Sequence, residues 1–315
     1  MKRYFLWYKS AVKSRLLKKY INFIGEDAFY EKRHKYAGIQ IKSVEETSRC
    51  LEKLIMSNKP IMAARYGLTE MFVMRAFFCD LAKKENIAIK QLAKWSGFFP
   101  ETTEWGEKFT KIMIEYSKDV DYLAINFQPM EEFFIKKYMS PNVILAEFRG
   151  FEPWYRDTAW TRVLKGRKVL VIHPFAETIE EQYKKRSQLF LNQNILPEFT
   201  LITQKAIQTS AGEKDSRFET WFDALQYMYK EAMTKDFDIA LLGCGAYGFP
   251  LSAMLKRGGK QAIHMGGMLQ ILFGIKGKRW DGDRIVAPLY NDYWVRPKLK
   301  ETPQKSILIE GGCYW

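Results

Sequence analysis

The sequence is poor in the residues that build disulfides and metal centres. Its 315 residues contain four cysteines and three histidines. The cysteines (Cys50, Cys79, Cys244 and Cys313) show no C-x-x-C spacing, and the histidines form no local metal-binding pattern. These absences argue against a secreted disulfide framework and a cysteine zinc site, so we expect a reducing, cytoplasmic setting.

Long apolar runs are also missing. No stretch approaches the roughly 18–20 apolar residues that a membrane-spanning helix requires. The apolar run at residues 4–8 is too short for the core of a signal peptide. We therefore expect a protein that neither spans a membrane nor is exported.

Acidic residues are outnumbered by basic ones. The chain has 36 aspartates and glutamates against 50 lysines and arginines, a formal charge of +14. Such a charge attracts nucleic acid, anionic lipid or a diphosphate-bearing substrate. No RRM, KH or helix-turn-helix pattern accompanies it, so nucleic acid is not expected as a partner. A non-enzymatic nucleic-acid-binding protein remains the weakest of the alternatives.

Residues 1–40 are predicted to form a basic amphipathic helical segment. The first 25 residues contain seven lysines and arginines and no acidic residue. Apolar residues recur there at helical spacing, namely Phe5, Tyr8, Val12, Leu16, Tyr20 and Phe23. One hypothesis is that residues 1–25 make peripheral contact with an anionic membrane, at its inner face. The alternative is a solvated helix packed on the domain.

Residues 41–315 alternate between helical and strand patterns. Strands are predicted at 61–64, 120–127, 168–173, 237–242 and 261–264. The run at 168–173 is apolar on both faces, as is typical of a parallel sheet. This alternation predicts a single α/β domain with a mainly parallel sheet and flanking helices, and a soft seam near residues 150–166.

Two capping boxes are predicted to begin helices. Ser43 stands three residues before Glu46, and Ser216 stands three residues before Glu219. In each pair the side chains can satisfy the exposed amides of a first helical turn.

A glycine-rich turn follows the strand predicted at 237–242. Gly243, Gly245 and Gly248 fit the G-x-G-x-x-G fingerprint, with Tyr247 between the last two. A strand before it and a helix after it would direct backbone amides at a phosphate. The acidic residue that holds a ribose in NAD enzymes is absent, which disfavours a Rossmann-like oxidoreductase as the alternative function. A tight turn without a ligand is the structural alternative.

Polar and glycine residues continue beyond the next predicted strand. His264 ends that strand, and a cluster of candidate ligands follows it: Gly266, Gly267, Gln270, Lys276, Lys278 and Arg279. Glycines permit close approach of the backbone, and lysine and arginine neutralise phosphate oxygens. A hydrogen-bonded core histidine and a solvated basic loop are the alternatives.

Two further turns carry candidate catalytic or binding groups. Arg65, Tyr66, Gly67 and Glu70 surround a glycine turn between a strand and a helix, where the arginine suits a phosphate and the carboxylate a metal or a sugar hydroxyl. An internal salt bridge from Arg65 to Glu70 is an equal alternative.

The second of these turns follows the strand at 168–173. His173 and Glu177 lie just past that strand, where ligands bind in open α/β sheets. Together with His264 they are the candidates for proton transfer, and Glu70 is the fourth candidate catalytic residue, expected to hold a metal or orient the donor.

These turns together resemble the GT-D fold glycosyltransferases. The resemblance is carried by Arg-Tyr-Gly-x-x-Glu at 65–70, Gly-Cys-Gly-Ala-Tyr-Gly at 243–248 and Ala-Ile-His-Met-Gly-Gly at 262–267, and it covers nearly the whole chain after residue 40. It is most specific at 169–183 and 238–280, which resemble a branch found among bacterial surface-polysaccharide genes. The resemblance implies a Rossmann-like enzyme that transfers a sugar from a nucleotide-diphosphate sugar to a glycan or lipid-linked acceptor.

The resemblance also bears on metal dependence. The better-known relatives have Asp-x-Glu in the first turn, and this pair is taken to hold a divalent metal against the diphosphate. Leu68 occupies the position of that aspartate, and only Glu70 carries over as a metal ligand. We therefore expect weak or absent dependence on Mn²⁺ or Mg²⁺, with Arg65 and the cations at 276–279 neutralising the diphosphate instead.

Overall fold

A computed structural model describes residues 2–32, 34–155, 159–213 and 215–315. Its strands are β1 (Lys35–Tyr36), β2 (Ile39–Lys42), β3 (Ile61–Ala64), β4 (Tyr122–Ala124), β5 (Ile144–Ala146), β6 (Lys168–His173), β7 (Thr200–Lys205), β8 (Ile239–Leu242) and β9 (Gln261–His264). Its α-helices are α1 (Lys2–Ile24), α2 (Glu26–Glu31), α3 (Val44–Met56), α4 (Leu68–Phe78), α5 (Ala82–Ser96), α6 (Thr103–Tyr116), α7 (Glu131–Tyr138), α8 (Ala176–Tyr183), α9 (Arg186–Leu189), α10 (Trp221–Met233), α11 (Gly248–Arg257) and α12 (Leu269–Leu272).

The strands form one sheet in the order β1-β2-β5-β4-β3-β9-β8-β6-β7. Only β1 pairs antiparallel, with β2, and every other pairing among the described residues is parallel. The predicted α/β class with a mainly parallel sheet is therefore confirmed. Strands from both sides of the predicted seam at 150–166 belong to this sheet. The division into domains stays a prediction, and residues 156–158 of the seam lie outside the described part of the chain.

Two apolar layers cover the sheet, one on each face. Successive residues of β6 enter opposite layers, because side chains alternate along a strand. Val169 and Val171 join the layer that contains α8, whereas Leu170 and Ile172 join the layer that contains α11. Burial on both faces explains why residues 169–172 of β6 are all apolar and why the predicted bounds of the strand match the structure.

The structure confirms one predicted capping box and corrects the other. The Ser43 hydroxyl accepts the Glu46 amide, and the Glu46 carboxylate accepts the Ser43 amide, so α3 begins as predicted. The prediction at Ser216 was wrong. The capping box of α10 uses Thr220 and Asp223, four residues further on.

Helix α1 has apolar residues on two opposite faces. Leu6, Trp7, Leu17, Ile21 and Ile24 pack on the core. The apolar residues that the sequence pattern singles out form the other face and are exposed. No helix in the described ranges is long and apolar enough to cross a membrane.

Candidate functional site

A cleft lies at the carboxyl ends of four adjacent strands, in the order β3, β9, β8 and β6. Arg65 follows β3, His264 ends β9, Gly243 follows β8 and His173 ends β6, and all four residues line the cleft. From β6 the chain runs through α8 on one face to β7, and from β8 through α11 on the other face to β9. The connections thus diverge between two paired strands, which is where open α/β sheets bind ligands.

Arg65 brings an unpaired cation into this cleft. Its guanidinium lies over the ring of Phe148, 4.4 Å from the ring centroid. Its Nε is buried without a hydrogen-bond partner, and the described residues supply Arg65 with no ion pair. Burial lowers the pKa of this guanidinium, which shows that the protein around it disfavours the charge. The predicted alternative of an Arg65–Glu70 salt bridge is therefore not formed.

Glu70 lies on the first turn of α4 and folds back towards the start of its helix. A Cβ at Gly67 would lie 1.9 Å from Glu70 Oε2, so only glycine leaves room for the carboxylate there. The Thr69 hydroxyl lies 2.8 Å from Oε2 and 2.9 Å from the Ser96 hydroxyl. Burial raises the pKa of the Glu70 carboxyl. The site therefore contains a buried acid with hydroxyl neighbours at its wall.

The glycines of the β8 turn make room for two histidines. A Cβ at Gly243 would lie 2.5 Å from the Cδ2 atom of His173, and a Cβ at Gly248 would lie 2.2 Å from the Cδ2 atom of His264. Gly245 has a φ of +57° and the nearest atom to its would-be Cβ is 3.8 Å away, so it alone borders open space. At Gly243 and Gly248, the first and last glycines of the fingerprint, the missing side chain makes room for a histidine ring.

Both histidines are neutral at physiological pH. Burial lowers the pKa of His173 and of His264 to about 3. The Phe175 amide donates to His173 Nδ1 at 3.0 Å, which places the ring proton of His173 on Nε2. His173 is therefore suited to donating a hydrogen bond. A group with so low a pKa is a weak base.

Arg279 provides the second cation of the cleft. Its guanidinium forms an ion pair with Glu310 and donates to the Tyr314 hydroxyl at 3.3 Å. The backbone amides of Lys278 and Arg279 donate to the carbonyls of Trp315 and Cys313. Residues 309–315 thus form one wall of the cleft, and we call them the C-terminal strap. Tyr314 also packs on Gly267, where a Cβ would lie 2.4 Å from its ring.

Several predicted site residues lie apart from the cleft. Tyr66 is buried, stacks on Phe249 and hydrogen-bonds with Ser117, so it belongs to the core. The ammonium of Lys276 lies over Tyr290, and that of Lys278 donates to the Gly311 carbonyl. None of these three residues lines the cleft.

Glu177 is also outside the cleft. Its carboxylate pairs with Lys300 and, at 3.8 Å, with Lys298. These partners lie more than a hundred residues away in the sequence, so no local pattern indicates them. Glu177 does not line the cleft that contains the two histidines, and we do not retain it among the proposed catalytic groups.

The remaining predicted residues reach the site in different ways. Gly243, Gly245, Tyr247, Gly266, Gly267 and Gln270 line the cleft. Gln270 braces the wall, because its amide lies 3.1 Å from the Tyr314 carbonyl and 3.2 Å from that of Lys276. Gly266, with a φ of +68°, faces the Arg65 guanidinium.

The cleft also contains residues that sequence reasoning missed. Trp95 and Ser96 come from the end of α5, and Glu310, Tyr314 and Trp315 from the C-terminal strap. A helix end and an irregular segment have no periodic pattern that would reveal them. Gly97 is a local signal for this helix end, since glycine is common just after the last helical residue.

The cleft offers little to a metal ion. Among the described residues no group of three or more histidine, cysteine, aspartate and glutamate side chains could hold one. Glu70 faces a hydroxyl rather than a second carboxylate. The donor set therefore does not fit a dedicated divalent site.

The comparisons with known proteins concern the fold. No protein-family model matches the sequence, and a search of the curated proteins gives no significant match. Two solved structures align over 84% of this chain and 93% of their own, with 13% identity and TM-scores of 0.43 and 0.42. Both are described as the domain of unknown function 1792, the first as having a distinct glycosyltransferase fold.

Proposed function

We propose that the chain is a glycosyltransferase that takes a sugar from a nucleotide-diphosphate sugar. The observation that carries this proposal is the Arg65 guanidinium, which is partly buried at the cleft, with its Nε fully buried, and has no anionic partner among the described residues. A charge that is partly withdrawn from water without a partner costs stability, and a bound anion would offset that cost. A diphosphate is an anion that fits a cleft with two arginines.

The two arginines would stabilise the departing diphosphate. Arg65 and Arg279 both line the cleft, and Arg279 donates to the Tyr314 hydroxyl. When the bond from the anomeric carbon to the diphosphate oxygen breaks, negative charge develops on that oxygen. Preorganised guanidinium groups stabilise such charge most effectively in a site shielded from water. Trp95 at the same wall offers a face for stacking on a sugar or a base.

Glu70 is the strongest candidate for accepting the proton of the acceptor hydroxyl. Its carboxyl lines the cleft, and burial raises its pKa towards the range in which a carboxylate works as a base. His173 and His264, with a pKa of about 3, would instead orient groups as neutral residues. In this scheme no step passes through a metal, and the proposed dependence on Mn²⁺ or Mg²⁺ is weak or absent. A glycan or lipid-linked molecule would be the acceptor.

Replacing Arg65 tests the proposal. Calorimetric titration with uridine, guanosine and cytidine diphosphate identifies which nucleotide the wild type binds. Arg65→Met should weaken that binding by about tenfold to a hundredfold, the usual worth of a charged hydrogen bond. The same change should raise the free energy of unfolding of the unliganded protein by about 1 kcal/mol, because it removes a buried unpaired charge.

Arg75→Met is the matched control. Arg75 also lies over an aromatic ring, that of Phe72, but it does not line the cleft. The control should bind the nucleotide as the wild type does. Unchanged binding by Arg65→Met, or failure of the wild type to bind any of the three nucleotides, would contradict the proposal.

A further inference from the structure

Helix α1 carries an apolar face that the rest of the described chain leaves uncovered. Its members are between 41% and 87% exposed, with Phe23 at 87%, Phe5 at 70% and Leu16 at 61%. Large exposed apolar residues scattered singly are ordinary, but seven of them along one side of a single helix mark an interaction surface. We call this the outer face of α1, and it consists of Tyr4, Phe5, Tyr8, Val12, Leu16, Tyr20 and Phe23.

The helix is firmly seated by its opposite side. Ile21 is buried, and Leu6, Trp7, Leu17 and Ile24 pack on the core around it. The Ser10 hydroxyl accepts the Met130 amide at 2.6 Å, and the Ser14 hydroxyl donates to the Phe127 carbonyl at 2.5 Å. Because the inner side is anchored, the outer face cannot rotate into the core without breaking these contacts.

Unpaired cations lie on the same side of α1, between the apolar residues of the outer face. Lys9, Arg15 and Lys19 form no ion pair with any described residue, whereas Lys13 pairs with Glu132 and Arg3 with Asp80. Residues 2–25 contain no acidic residue. Lysine and arginine keep their charged ends in water while their stems lie along apolar surface, so this side of α1 can rest on a bilayer with its apolar side chains below the headgroups and its cations beside anionic ones. Charge complementarity therefore selects an anionic lipid surface as the occupant.

Helix α1 is seated at the same edge of the sheet as the cleft. Phe127 and Met130, which contact α1, follow the carboxyl end of β4, the neighbour of β3. Gln128 of this loop donates to the Tyr66 carbonyl at 3.4 Å, and Tyr66 follows β3 directly after Arg65. The loop thus connects the seat of α1 with the turn that carries the unpaired cation.

We infer that the outer face of α1 docks the protein on an anionic membrane, with the cleft beside the lipid surface. Resting on the proposed function, this placement assigns a lipid-linked rather than a freely diffusing acceptor. A lipid-linked acceptor is confined to the surface on which the helix lies, so docking raises the effective concentration of acceptor at the cleft.

Sedimentation of the full chain with vesicles tests the docking. The vesicles contain phosphatidylcholine with phosphatidylglycerol, or phosphatidylcholine alone. The wild type should sediment with the anionic vesicles only. The triple variant Phe5→Ser, Leu16→Ser, Phe23→Ser should lose this binding by about tenfold or more, because each removed side chain would otherwise be buried in the bilayer. Met56→Ser, Ile87→Ser, Leu191→Ser is the matched control, since these residues are equally exposed elsewhere, and it should bind as the wild type does.

Charge reversal tests the choice of lipid. Lys9→Glu, Arg15→Glu, Lys19→Glu should abolish sedimentation with anionic vesicles. The same reversal on α5, Lys83→Glu, Lys90→Glu, Lys94→Glu, should reduce it only slightly. Equal binding to neutral vesicles, or unchanged binding by either α1 variant, would overturn the inference. So would a dimer that fails to bind vesicles and dissociates in the triple serine variant, because the outer face would then join two copies of the chain.

These vesicle measurements use neither donor nor acceptor, so their outcome is independent of the proposed function. Binding of a nucleoside diphosphate in the absence of lipid is the complementary readout, and the α1 variants should leave it unchanged. Docking without nucleotide binding would refute the glycosyltransferase proposal alone. Nucleotide binding without docking would refute the membrane inference alone.

Discussion

The turns after β3 and β8 share a local pattern and differ in what they do. Each runs from a buried parallel strand through glycine into a helix. The β3 turn presents Arg65, whose charge has no anionic partner among the described residues. The β8 turn carries the complete glycine fingerprint, yet its outer glycines admit the rings of His173 and His264. A glycine pattern therefore indicates that some group lies close to the backbone, and that group can be either a ligand or a side chain.

Among the substitutions that test this difference between the two turns, Gly248→Ala is expected to change the stability most. In Gly248→Ala the new Cβ would lie 2.2 Å from the His264 ring, which is itself buried between strands. We expect a loss of about 2–3 kcal/mol in the free energy of unfolding, as for overpacked cores. Urea denaturation measures it, with Gly282→Ala as the control because nothing lies within 4 Å of its would-be Cβ.

A double-mutant cycle that combines Gly248→Ala with His264→Ala tests the cause of this loss of stability. The alanine removes the ring that the Cβ would meet, so the double variant should lose less stability than the sum of the two single variants. A coupling of about 1 kcal/mol or more would show that the glycine exists for the histidine. Additive losses would indicate that Gly248 serves the backbone or a ligand instead.

The second prediction concerns His264, one of the two histidines beside the β8 turn, and how its protonation changes the stability with pH. The folded-state pKa of about 3 for His264 lies below the usual 6.5, so the unfolded chain binds the extra proton. The stability that the neutral ring contributes is present above pH 6.5 and is lost as the pH falls towards 3. At pH 5 the loss is about 2 kcal/mol.

Two buried carboxyl groups change the stability with pH in the opposite direction, so a variant is needed to isolate the contribution of His264. Burial raises the pKa of Glu131 and of Glu152 to about 7, and their protonation favours the folded state below that pH. We therefore compare the wild type with His264→Gln. The change in the free energy of unfolding from pH 7 to pH 5 should be about 2 kcal/mol more favourable in the variant. Parallel pH profiles would mean that His264 is not held neutral by the fold.

The sequence predicts this edge of the sheet better than it predicts the contacts across it. The strands at 61–64, 168–173 and 261–264 are found as predicted, because burial on both faces leaves an apolar run with clear ends. The box at Ser216 failed because Thr220 and Asp223 provide the same spacing closer to the helix. Local spacing cannot choose between two such pairs when tertiary packing sets the helix start.

The site could be predicted only where one segment determines it. The positions of Arg65, Glu70 and His173 past strand ends follow from the topology, and all three line the cleft. The pairing of Glu177 with Lys300 and that of Arg279 with Glu310 join distant segments. Such pairs depend on how irregular segments run past the edge of the sheet, and no periodic sequence pattern predicts that course.

The smallest effect is expected at the cation that does have a partner. Arg279 pairs with Glu310 of the C-terminal strap, and both side chains are more than a third exposed. The pair should therefore add little to stability, so Glu310→Gln should change the free energy of unfolding by less than about 1 kcal/mol.

The Glu310 carboxylate already pairs with Arg279, so a phosphate that binds this guanidinium must displace it. The cleft measures about 180 Å³, whereas pockets for small ligands usually reach about 300–1,000 Å³, so we expect the cleft to widen when a nucleotide-diphosphate sugar binds. Removing the competing charge should strengthen binding of inorganic pyrophosphate about two- to fivefold in calorimetry, since the ligand no longer displaces an ion pair. Glu213→Gln, outside the cleft, is the control. Weaker pyrophosphate binding by Glu310→Gln would show that the strap holds Arg279 in its binding position. Arg279 would then differ from Arg65 in having a partner that positions it, as well as in forming an ion pair.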